Sequence, residues 1–326
     1  MNLEPIKTAA RQAAALCSTV QKRHFVTSQK ADNDGPVTIA DYGAQALIAN
    51  AIKSNFPGDA VLAEETGEQF VGLVPAEQRA KVVALIGEVL GRRVSESDVV
   101  SWLDYGKDVQ ADRTWVIDPI DGTKGFIAMR HYAIAIGVLR GGQAVGGVMA
   151  CPGYPAYNGG GALLWTENDT CMIGPIAGFS GRQVRVSAIQ DVQRVRVLES
   201  VEKSHAGFER MLRARMLAGL DAAPVERLDS MEKYARIAAG DAELYLRLPN
   251  LKSTRAHSTW DHAAGAALVR AAGGLATDID GSPLDFSSGR TMARTRGMIV
   301  SNGRIHAQMI EGVRALLEEE AETASS

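Results

Sequence analysis

Apolar side chains in the first part of the chain recur at the spacing of a helix. Between Pro36 and Phe56 they fall mainly on one helical face, and Pro57-Gly58 ends the pattern. Residues 1–19 carry charges among alanines, which predicts an amphipathic helix rather than a signal peptide with its continuous apolar core. The chain therefore opens with two predicted helices.

The next apolar runs are short and predict strands. Val61 to Ala63 is one such run, and Glu64-Glu65 stands at its end. Residues 69–112 are more polar and mostly helical in pattern. Trp115 to Ile117 predicts a further strand, which Asp118-Pro119 is expected to break. A helical segment thus separates two short strands, each followed by acidic residues.

The middle of the chain is rich in predicted β-structure. Tyr132 to Leu139 and Ala144 to Ala150 predict a hairpin around Gly141-Gly142. The glycine-rich run at 158–161 predicts another turn, because the Lys-Ser/Thr pair of a phosphate-binding loop does not follow it. From residue 176 short β-type runs alternate with helical stretches, which predicts a layered α/β second half.

Composition and charge narrow the classes of function. The 326 residues carry a net charge of -3, which gives no general attraction to nucleic acid or to an anionic membrane surface. No stretch approaches the roughly 18 to 20 apolar residues that span a bilayer. We therefore expect a cytoplasmic protein without a nucleic-acid or membrane partner, and we favour a monomer. An anionic ligand would have to be held by local cations or by metal.

The three cysteines, Cys17, Cys151 and Cys171, lie far apart and are odd in number. Their spacing is neither a disulfide framework nor a zinc site, and it is typical of a reducing compartment. We expect buried or inert thiols.

The segment Asp118-Pro-Ile-Asp-Gly-Thr123 is the first candidate for chemistry. Proline stops the strand and Asp-Gly forces a turn, so Asp118, Asp121 and the Ile120 carbonyl can converge on one point. Oxygen ligands of this kind suit a hard cation such as Mg²⁺. The alternative is a pair of aspartates that only caps a turn.

Further acidic residues lie at the ends of other predicted elements. Glu64-Glu65 ends a strand, Asp41 lies in the first turn of its helix, and Asp261 lies near the start of a helix predicted at 260–272. Each has a structural explanation by itself, as solvated surface, as a partner of the helix dipole or as a cap. Clustered with the two aspartates above, they would repel one another unless metal ions were present.

Three motifs in this order resemble the inositol monophosphatase-like metal-dependent phosphatases, a superfamily that also contains fructose-1,6-bisphosphatases. They are Glu64-Glu65, Asp118-Pro-Ile-Asp-Gly-Thr123 and Trp260-Asp-His-Ala-Ala-Gly265. The resemblance implies an α+β fold, a layered α-β-α-β-α sandwich. It also implies a domain of residues 1–175 with most metal ligands, and a domain of residues 176–326 with the substrate-binding residues and Asp261.

Further segments are similar to one branch, the 3'(2'),5'-bisphosphate nucleotidases, which remove the 3'-phosphate from adenosine 3',5'-bisphosphate. Lys124-Gly125 stands where inositol monophosphatases usually have a different pair, and this favours the nucleotidase branch. The other segments are Pro36-Val-Thr-Ile-Ala-Asp41-Tyr, Val201-Glu-Lys-Ser-His205, Leu228-Asp-Ser230-Met-Glu-Lys233-Tyr, Tyr245-Leu-Arg247-Leu-Pro and Pro283-Leu-Asp-Phe286.

The resemblance implies a role for each matched position. The metal ligands, for two or three Mg²⁺ ions, would be Glu64, Asp118, the Ile120 carbonyl, Asp121 and Asp261. Asp41 and Thr123 would orient and deprotonate the attacking water. The bisphosphorylated nucleotide would be held by Thr123, His205, Ser230, Lys233, Arg247 and Asp261. Inhibition by Li⁺ is expected from the family.

Two other functions stay open. One is a phosphatase of the same fold that acts on inositol mono- or polyphosphates, and the other is a catalytically silent nucleotide-binding regulator. Retention of every expected acid and of Thr123 argues against the silent protein. Ser230, Lys233 and Arg247 favour a nucleotide, because a simple inositol phosphate needs no second phosphate grip. Without the resemblance, His205 and Lys233 would be interpreted as surface charges.

Overall fold

The computed structural model describes residues 1–23, 28–29, 36–201, 207–249 and 256–325. The helices in this part of the chain are α1 (Glu4–Lys22), α2 (Ile39–Asn55), α3 (Gly67–Leu73), α4 (Ala76–Leu90), α5 (Glu96–Leu103), α6 (Thr123–Ile127), α7 (Phe208–Leu217), α8 (Glu232–Ala238), α9 (Ala263–Ala271) and α10 (His306–Ser325). The strands are β1 (Ser28–Gln29), β2 (Pro36–Val37), β3 (Ala60–Ala63), β4 (Arg113–Asp121), β5 (Ala133–Arg140), β6 (Gln143–Cys151), β7 (Ala162–Glu167), β8 (Thr170–Pro175), β9 (Arg182–Val184), β10 (Val197–Ser200), β11 (Val225–Leu228), β12 (Leu244–Arg247), β13 (Leu275–Thr277) and β14 (Met298–Ser301).

Two sheets organise these strands. The larger has seven strands in the order β3-β4-β5-β6-β7-β8-β9, with β3 and β4 parallel and the other neighbours antiparallel. The smaller has the order β11-β10-β12-β14-β13, and β10 runs parallel to both of its neighbours. The short strands β1 and β2 form a separate antiparallel pair.

Helices cover both sheets in alternating layers. Helices α1 and α2 pack together on one face of the seven-stranded sheet, and α8 and α9 lie between the two sheets. Helices α7 and α10 cover the outer face of the five-stranded sheet. The predicted α-β-α-β-α sandwich is confirmed, whereas the domain division between residues 175 and 176 stays a prediction.

Helix α2 begins three residues later than its apolar pattern predicts. Thr38 is the N-cap: its hydroxyl accepts a hydrogen bond from the Ala40 backbone N–H at 3.1 Å. Asp41 completes a capping box, since its Oδ2 accepts from the Thr38 N–H at 2.8 Å and from the Thr38 hydroxyl at 2.7 Å. Pro36 and Val37 lie before this cap and pair with β1 instead.

Strand β4 does not break at Asp118-Pro119, so that prediction is wrong. The strand continues to Asp121, and its pairing with β5 shifts register between the two aspartates. Pro119 has no N–H for the ladder, and a bulge is where a strand accommodates such a residue. Gly122 then turns the chain at φ 86° into α6.

Helix α9 also begins later than predicted, at Ala263 rather than Trp260. Asp261 therefore precedes the helix and does not cap it; the N-cap residue is His262, without a side-chain cap bond. Gly265 lets α9 approach α8 closely, because a Cβ there would stand 2.3 Å from Cγ of Tyr234. Glycine at this position therefore sets how closely α9 packs against α8.

Other predictions are confirmed. Gly141 and Gly142 form the hairpin turn between β5 and β6, with φ 53° and 72°. All three cysteines are buried free thiols, and burial raises the pKa of Cys171 to about 12. Within the described residues, no helix combines the length and apolar character needed to cross a membrane. Strands β8, β11 and β13 had no clear signal in the sequence.

Candidate metal centre

Three carboxylates meet at the end of β4. Asp118 and Asp121 come from this strand and Asp261 from the turn before α9, and one ligand oxygen of each lies within 4.8 Å of the others. β4 is an interior strand of the larger sheet. Asp261 is 140 residues further along the chain than Asp121. Layer packing therefore assembles the cluster that the sequence could only suggest.

The surroundings of Asp118 disfavour the charged form of its carboxyl group. Its side chain is 2% exposed, and its Oδ1 has no hydrogen-bond partner among the residues that the structure describes. Burial raises the pKa of Asp118 well above its ordinary value, and the charges of Glu64, Asp121, Asp261 and Asp41 raise it further. A buried carboxylate oxygen without a partner is costly, and a bound cation would supply one.

Asp121 lies between the carboxylates and two cations. Burial raises its pKa to about 6, while the charge of Lys233, a hydrogen bond from the Met231 backbone N–H and the charge of Arg247 act to lower it. Glu64 raises the pKa of Asp121 as well. Oxygen donors at this spacing, with a surplus of negative charge, fit a hard divalent ion.

Glu64 follows β3 and is not one of the three carboxylates that converge, although its charge acts on Asp118 and Asp121. Its backbone N–H donates to the Ile117 carbonyl at 3.2 Å, which continues the pairing with β4 beyond Ala63. The neighbouring Glu65 is only 2% exposed, and its backbone exchanges two hydrogen bonds with the Gln45 side chain, at 2.7 and 2.9 Å. The pair is therefore not a solvated surface element, and only Glu64 is among the charges that act on the aspartates.

Thr123 lies at the first position of α6. Its hydroxyl donates to the Ile120 carbonyl at 3.1 Å, so two of the predicted site groups touch each other. Asp41 is 1% exposed and is held by its capping box. The charge of Asp41 also raises the pKa of Asp118. Asp41 therefore caps α2 and acts electrostatically on the cluster at the same time.

Two of the predicted substrate residues, Ser230 and Lys233, lie just before and within α8. Ser230 has φ 67°, and a Cβ on Gly122 would stand 3.0 Å from the Ser230 Cβ. Lys233 is 4% exposed and donates to the carbonyls of Leu228 at 3.0 Å and Ser230 at 2.6 Å. Lys233 therefore ties down the loop that carries Ser230, a contact that the sequence did not predict.

Two cationic side chains have shifted pKa values. Burial lowers the pKa of Lys233 to about 8, although Asp121 acts to raise it. Burial also acts to lower the pKa of Arg247, but Tyr245 and Asp261 more than offset it, so the net shift is upward. Both groups therefore stay charged near neutral pH beside the cluster. His205, another predicted substrate contact, lies outside the described residues.

Sequence reasoning missed one group at this site, Arg290. Its guanidinium donates to the carbonyls of Ala63 and Glu64 at 2.9 and 3.1 Å. Arg290 is one of three arginines in the loop between β13 and β14 and belongs to no periodic pattern or motif, so only the folded structure reveals its contacts.

Comparison with protein families supports the chemistry inferred from this cluster. A sequence model described as the Inositol monophosphatase family matches residues 2–318. The 3'(2'),5'-bisphosphate nucleotidase of Oryza sativa is 33% identical over 99% of this chain and 96% of its own length. The 3'(2'),5'-bisphosphate nucleotidase of Emericella nidulans is 32% identical over 95% of this chain and 96% of its own length. A probable 3'(2'),5'-bisphosphate nucleotidase 4 of Arabidopsis thaliana is also 32% identical, over 98% and 95%.

Solved structures agree on the fold. The IMPase of Thermotoga maritima superposes with a TM-score of 0.66 at 22% identity, over 96% of each chain. The inositol monophosphatase of Anabaena (Nostoc) gives a TM-score of 0.58 at 20% identity, over 96% of this chain and 94% of its own.

These similarities define a phosphatase that hydrolyses phosphoric monoesters, in a class that depends on metal. The chain belongs to the inositol monophosphatase family. The resemblance noted in the sequence, including its similarity to the nucleotidase branch, is confirmed.

The raised pKa values predict how the metal-free protein responds to pH. Asp121 has an ordinary pKa of 3.8 and a folded value of about 6, so the folded state binds the extra proton between these values. The contribution of Asp121 to stability is therefore fully present below pH 3.8 and is lost as the pH rises through about 6. We expect the melting temperature of the unmodified protein in EDTA to fall more steeply between pH 4 and pH 8 than that of Asp121→Asn. Parallel curves for the two proteins would contradict the pKa shift.

Proposed function

We propose that this chain is a Mg²⁺-dependent 3'(2'),5'-bisphosphate nucleotidase. It hydrolyses the 3'-phosphate of adenosine 3',5'-bisphosphate to AMP and phosphate, with 3'-phosphoadenylyl sulfate as a related substrate. One observation carries the proposal: the buried Lys233 binds the Ser230 carbonyl at 2.6 Å, and the next residue, Met231, donates its backbone N–H to Asp121. The charges of Lys233 and Arg247 both act on this carboxylate. Cations beside a carboxylate cluster suit a ligand with one phosphate at the metal and a second phosphate on the cations.

The metal ligands would be Glu64, Asp118, the Ile120 carbonyl, Asp121 and Asp261. The Oδ1 of Asp118, which lacks a hydrogen-bond partner among the described residues, and the close approach of three carboxylates fit two or three Mg²⁺ ions. Bound Mg²⁺ supplies Lewis-acid polarisation of the phosphoryl group and lowers the pKa of water. A carbonyl oxygen has two lone pairs, so Ile120 can accept from Thr123 and still face a cation. Inhibition by Li⁺ belongs to the same proposal.

Thr123 and Asp41 would manage the proton of the attacking water. The Thr123 hydroxyl donates to Ile120, so its oxygen keeps lone pairs that can accept from water and orient it for attack. Asp41 is a buried carboxylate whose charge acts on Asp118. Such a group can take up the proton as general base, with Thr123 as the relay.

The nucleotide would be held chiefly by Lys233 of α8 and Arg247 of β12. Lys233 donates to two backbone carbonyls and lies over the Tyr245 ring, 5.3 Å from its centroid. Since an ammonium group has three donors, a ligand phosphate would take the third. Arg247 can bind a phosphate through two parallel hydrogen bonds. Thr123, Ser230 and Asp261 would complete the contacts, and His205 joins them on its sequence motif alone.

A phosphatase for inositol mono- or polyphosphates is the second candidate. The structural neighbours of Thermotoga maritima and Anabaena carry inositol monophosphatase names and share the fold. The nucleotidase relatives are the more similar in sequence, at 32 to 33% against 20 to 22% identity. The sequence similarity therefore favours the nucleotide substrate.

Phosphate release from a panel of substrates tests the proposal. The panel holds adenosine 3',5'-bisphosphate, adenosine 2',5'-bisphosphate, 3'-phosphoadenylyl sulfate, inositol 1-phosphate, inositol 1,4-bisphosphate and fructose 1,6-bisphosphate, each with Mg²⁺ and with EDTA. We expect the highest kcat/KM for the 3',5'-bisphosphate, and no turnover in EDTA. A higher kcat/KM for an inositol phosphate would replace the nucleotidase assignment, and turnover of none would leave the silent regulator.

A further inference from the structure

Arg290 bonds to the end of the strand that carries Glu64. Its Nη1 donates to the Ala63 carbonyl at 2.9 Å and its Nη2 to the Glu64 carbonyl at 3.1 Å. β3 is the edge strand of the seven-stranded sheet and pairs with β4 alone. Its last residues are therefore secured from one side by the sheet and from the other by Arg290.

The same guanidinium also contacts the segment that carries Asp261. It lies over the ring of Trp260, 4.6 Å from the centroid, at the distance of a cation–π interaction. The backbone around Arg290 is paired with this segment too. The Thr259 N–H donates to the Arg290 carbonyl at 3.0 Å, and the Thr259 hydroxyl donates to the Gly289 carbonyl at 2.5 Å.

One side chain thus joins two elements that each supply a proposed metal ligand. Glu64 follows an edge strand, and Asp261 lies in a turn before α9. Neither element is in the strand that carries Asp118 and Asp121. Without a connection, the separation between Glu64 and Asp261 would depend on the packing of layers alone, and small shifts there would spread the ligand oxygens.

We propose that Arg290 is a positioning residue, which holds Glu64 and Asp261 at the separation that a divalent cation requires. The inference rests on the proposed metal centre, and it assigns Arg290 no contact with the reacting atoms. Groups that orient metal ligands from outside the coordination shell commonly contribute about 10- to 100-fold in metal affinity.

The sign of the effect separates positioning from simple electrostatics. A positive charge beside a cation site repels the cation, so removal of the Arg290 charge should by itself strengthen metal binding. Loss of positioning should weaken it. The two explanations therefore predict opposite changes for the same substitution.

The experiment measures Mn²⁺ binding to metal-stripped protein by electron paramagnetic resonance, without substrate, because Mn²⁺ accepts the same oxygen ligands as Mg²⁺. Arg290→Ala is expected to bind about tenfold more weakly. Arg290→Lys, which keeps the charge and one donor group, should recover part of the loss, and Arg290→Gln should bind more weakly than the unmodified protein. Arg294→Ala is the matched control, since this exposed arginine of the same loop pairs with Asp285 and Ser287 instead.

Unchanged or tighter Mn²⁺ binding in folded Arg290→Ala or Arg290→Gln would overturn the inference. So would a loss of activity with normal Mn²⁺ binding, which would place Arg290 at the substrate. An equal loss in Arg294→Ala would attribute the effect to the loop as a whole and would also overturn it. If the unmodified protein binds no Mn²⁺, the proposed metal centre itself fails, and that result is distinct from a failure of Arg290.

Discussion

Asp121→Asn is expected to lower kcat/KM about 1000-fold while the protein stays folded. Loss of one carboxylate weakens the binding of a cation that would stabilise the transition state by several kcal/mol. The fold should tolerate the change, because an asparagine oxygen can still accept the hydrogen bond that the Met231 N–H gives to Asp121. Removal of one charge also reduces the repulsion that raises the pKa of Asp118.

The measurement is phosphate release at saturating Mg²⁺, together with circular dichroism and a thermal melt in EDTA. Asp112→Asn is the matched control, since it makes the same chemical change at a side chain that is 84% exposed. We expect this control to retain full activity. Wild-type activity in Asp121→Asn, or an equal loss in both variants, would remove Asp121 from the metal centre.

Thr123→Val is expected to lower kcat about 100-fold, with a smaller change in KM. Valine has nearly the shape of threonine but no hydroxyl, so the change removes the proposed proton relay while it keeps the size of the side chain. Positioned proton transfer contributes about 100- to 10,000-fold in enzymes, and we take the lower end because Asp41 remains. The bond from Thr123 to the Ile120 carbonyl is lost as well.

Thr123→Ser separates these effects because it restores the hydroxyl but not the methyl group. We expect it to recover most of kcat, whereas a structural role for the methyl group would leave it as impaired as valine. The test compares kcat, KM and the Mg²⁺ concentration at half-maximal rate for the three proteins. A shift in Mg²⁺ requirement alone, without a fall in kcat, would assign Thr123 to the support of Ile120 rather than to the water.

Most elements could be predicted from the sequence because their signals are local, whereas the layered α-β-α-β-α fold was implied by the family resemblance. Periodicity gave α1, α2 and the β5–β6 hairpin, and glycine pairs gave the turns. It placed element ends less well at α2, β4 and α9. In each case a single cap or bulge decides the boundary, and residues outside the apolar pattern set it. Thr38 as N-cap and the continuation past Pro119 are of this kind.

The acidic residues of the site were predicted from the sequence, but their positions relative to one another were not. Asp118 and Asp121 are near in sequence, whereas the approach of Asp261 depends on how α9 packs between two sheets. The attachment of Lys233 to the Ser230 loop and the bridge made by Arg290 were not predicted at all. Both are long side chains that bind backbone carbonyls, and backbone carbonyls leave no trace in the residue types of a sequence.

The shifted register in β4 has a geometric consequence for the spacing of its two aspartates. In a regular strand, residues three apart point to opposite faces, so Asp118 and Asp121 would lie on different sides of the sheet. Here Asp118 pairs with Ala135 and Asp121 with Ala133. Three steps on one strand thus match two on the other. Because the bulge takes up one residue, Asp118 and Asp121 can point to the same side of the sheet. The two carboxylates can then bind one cation from that side.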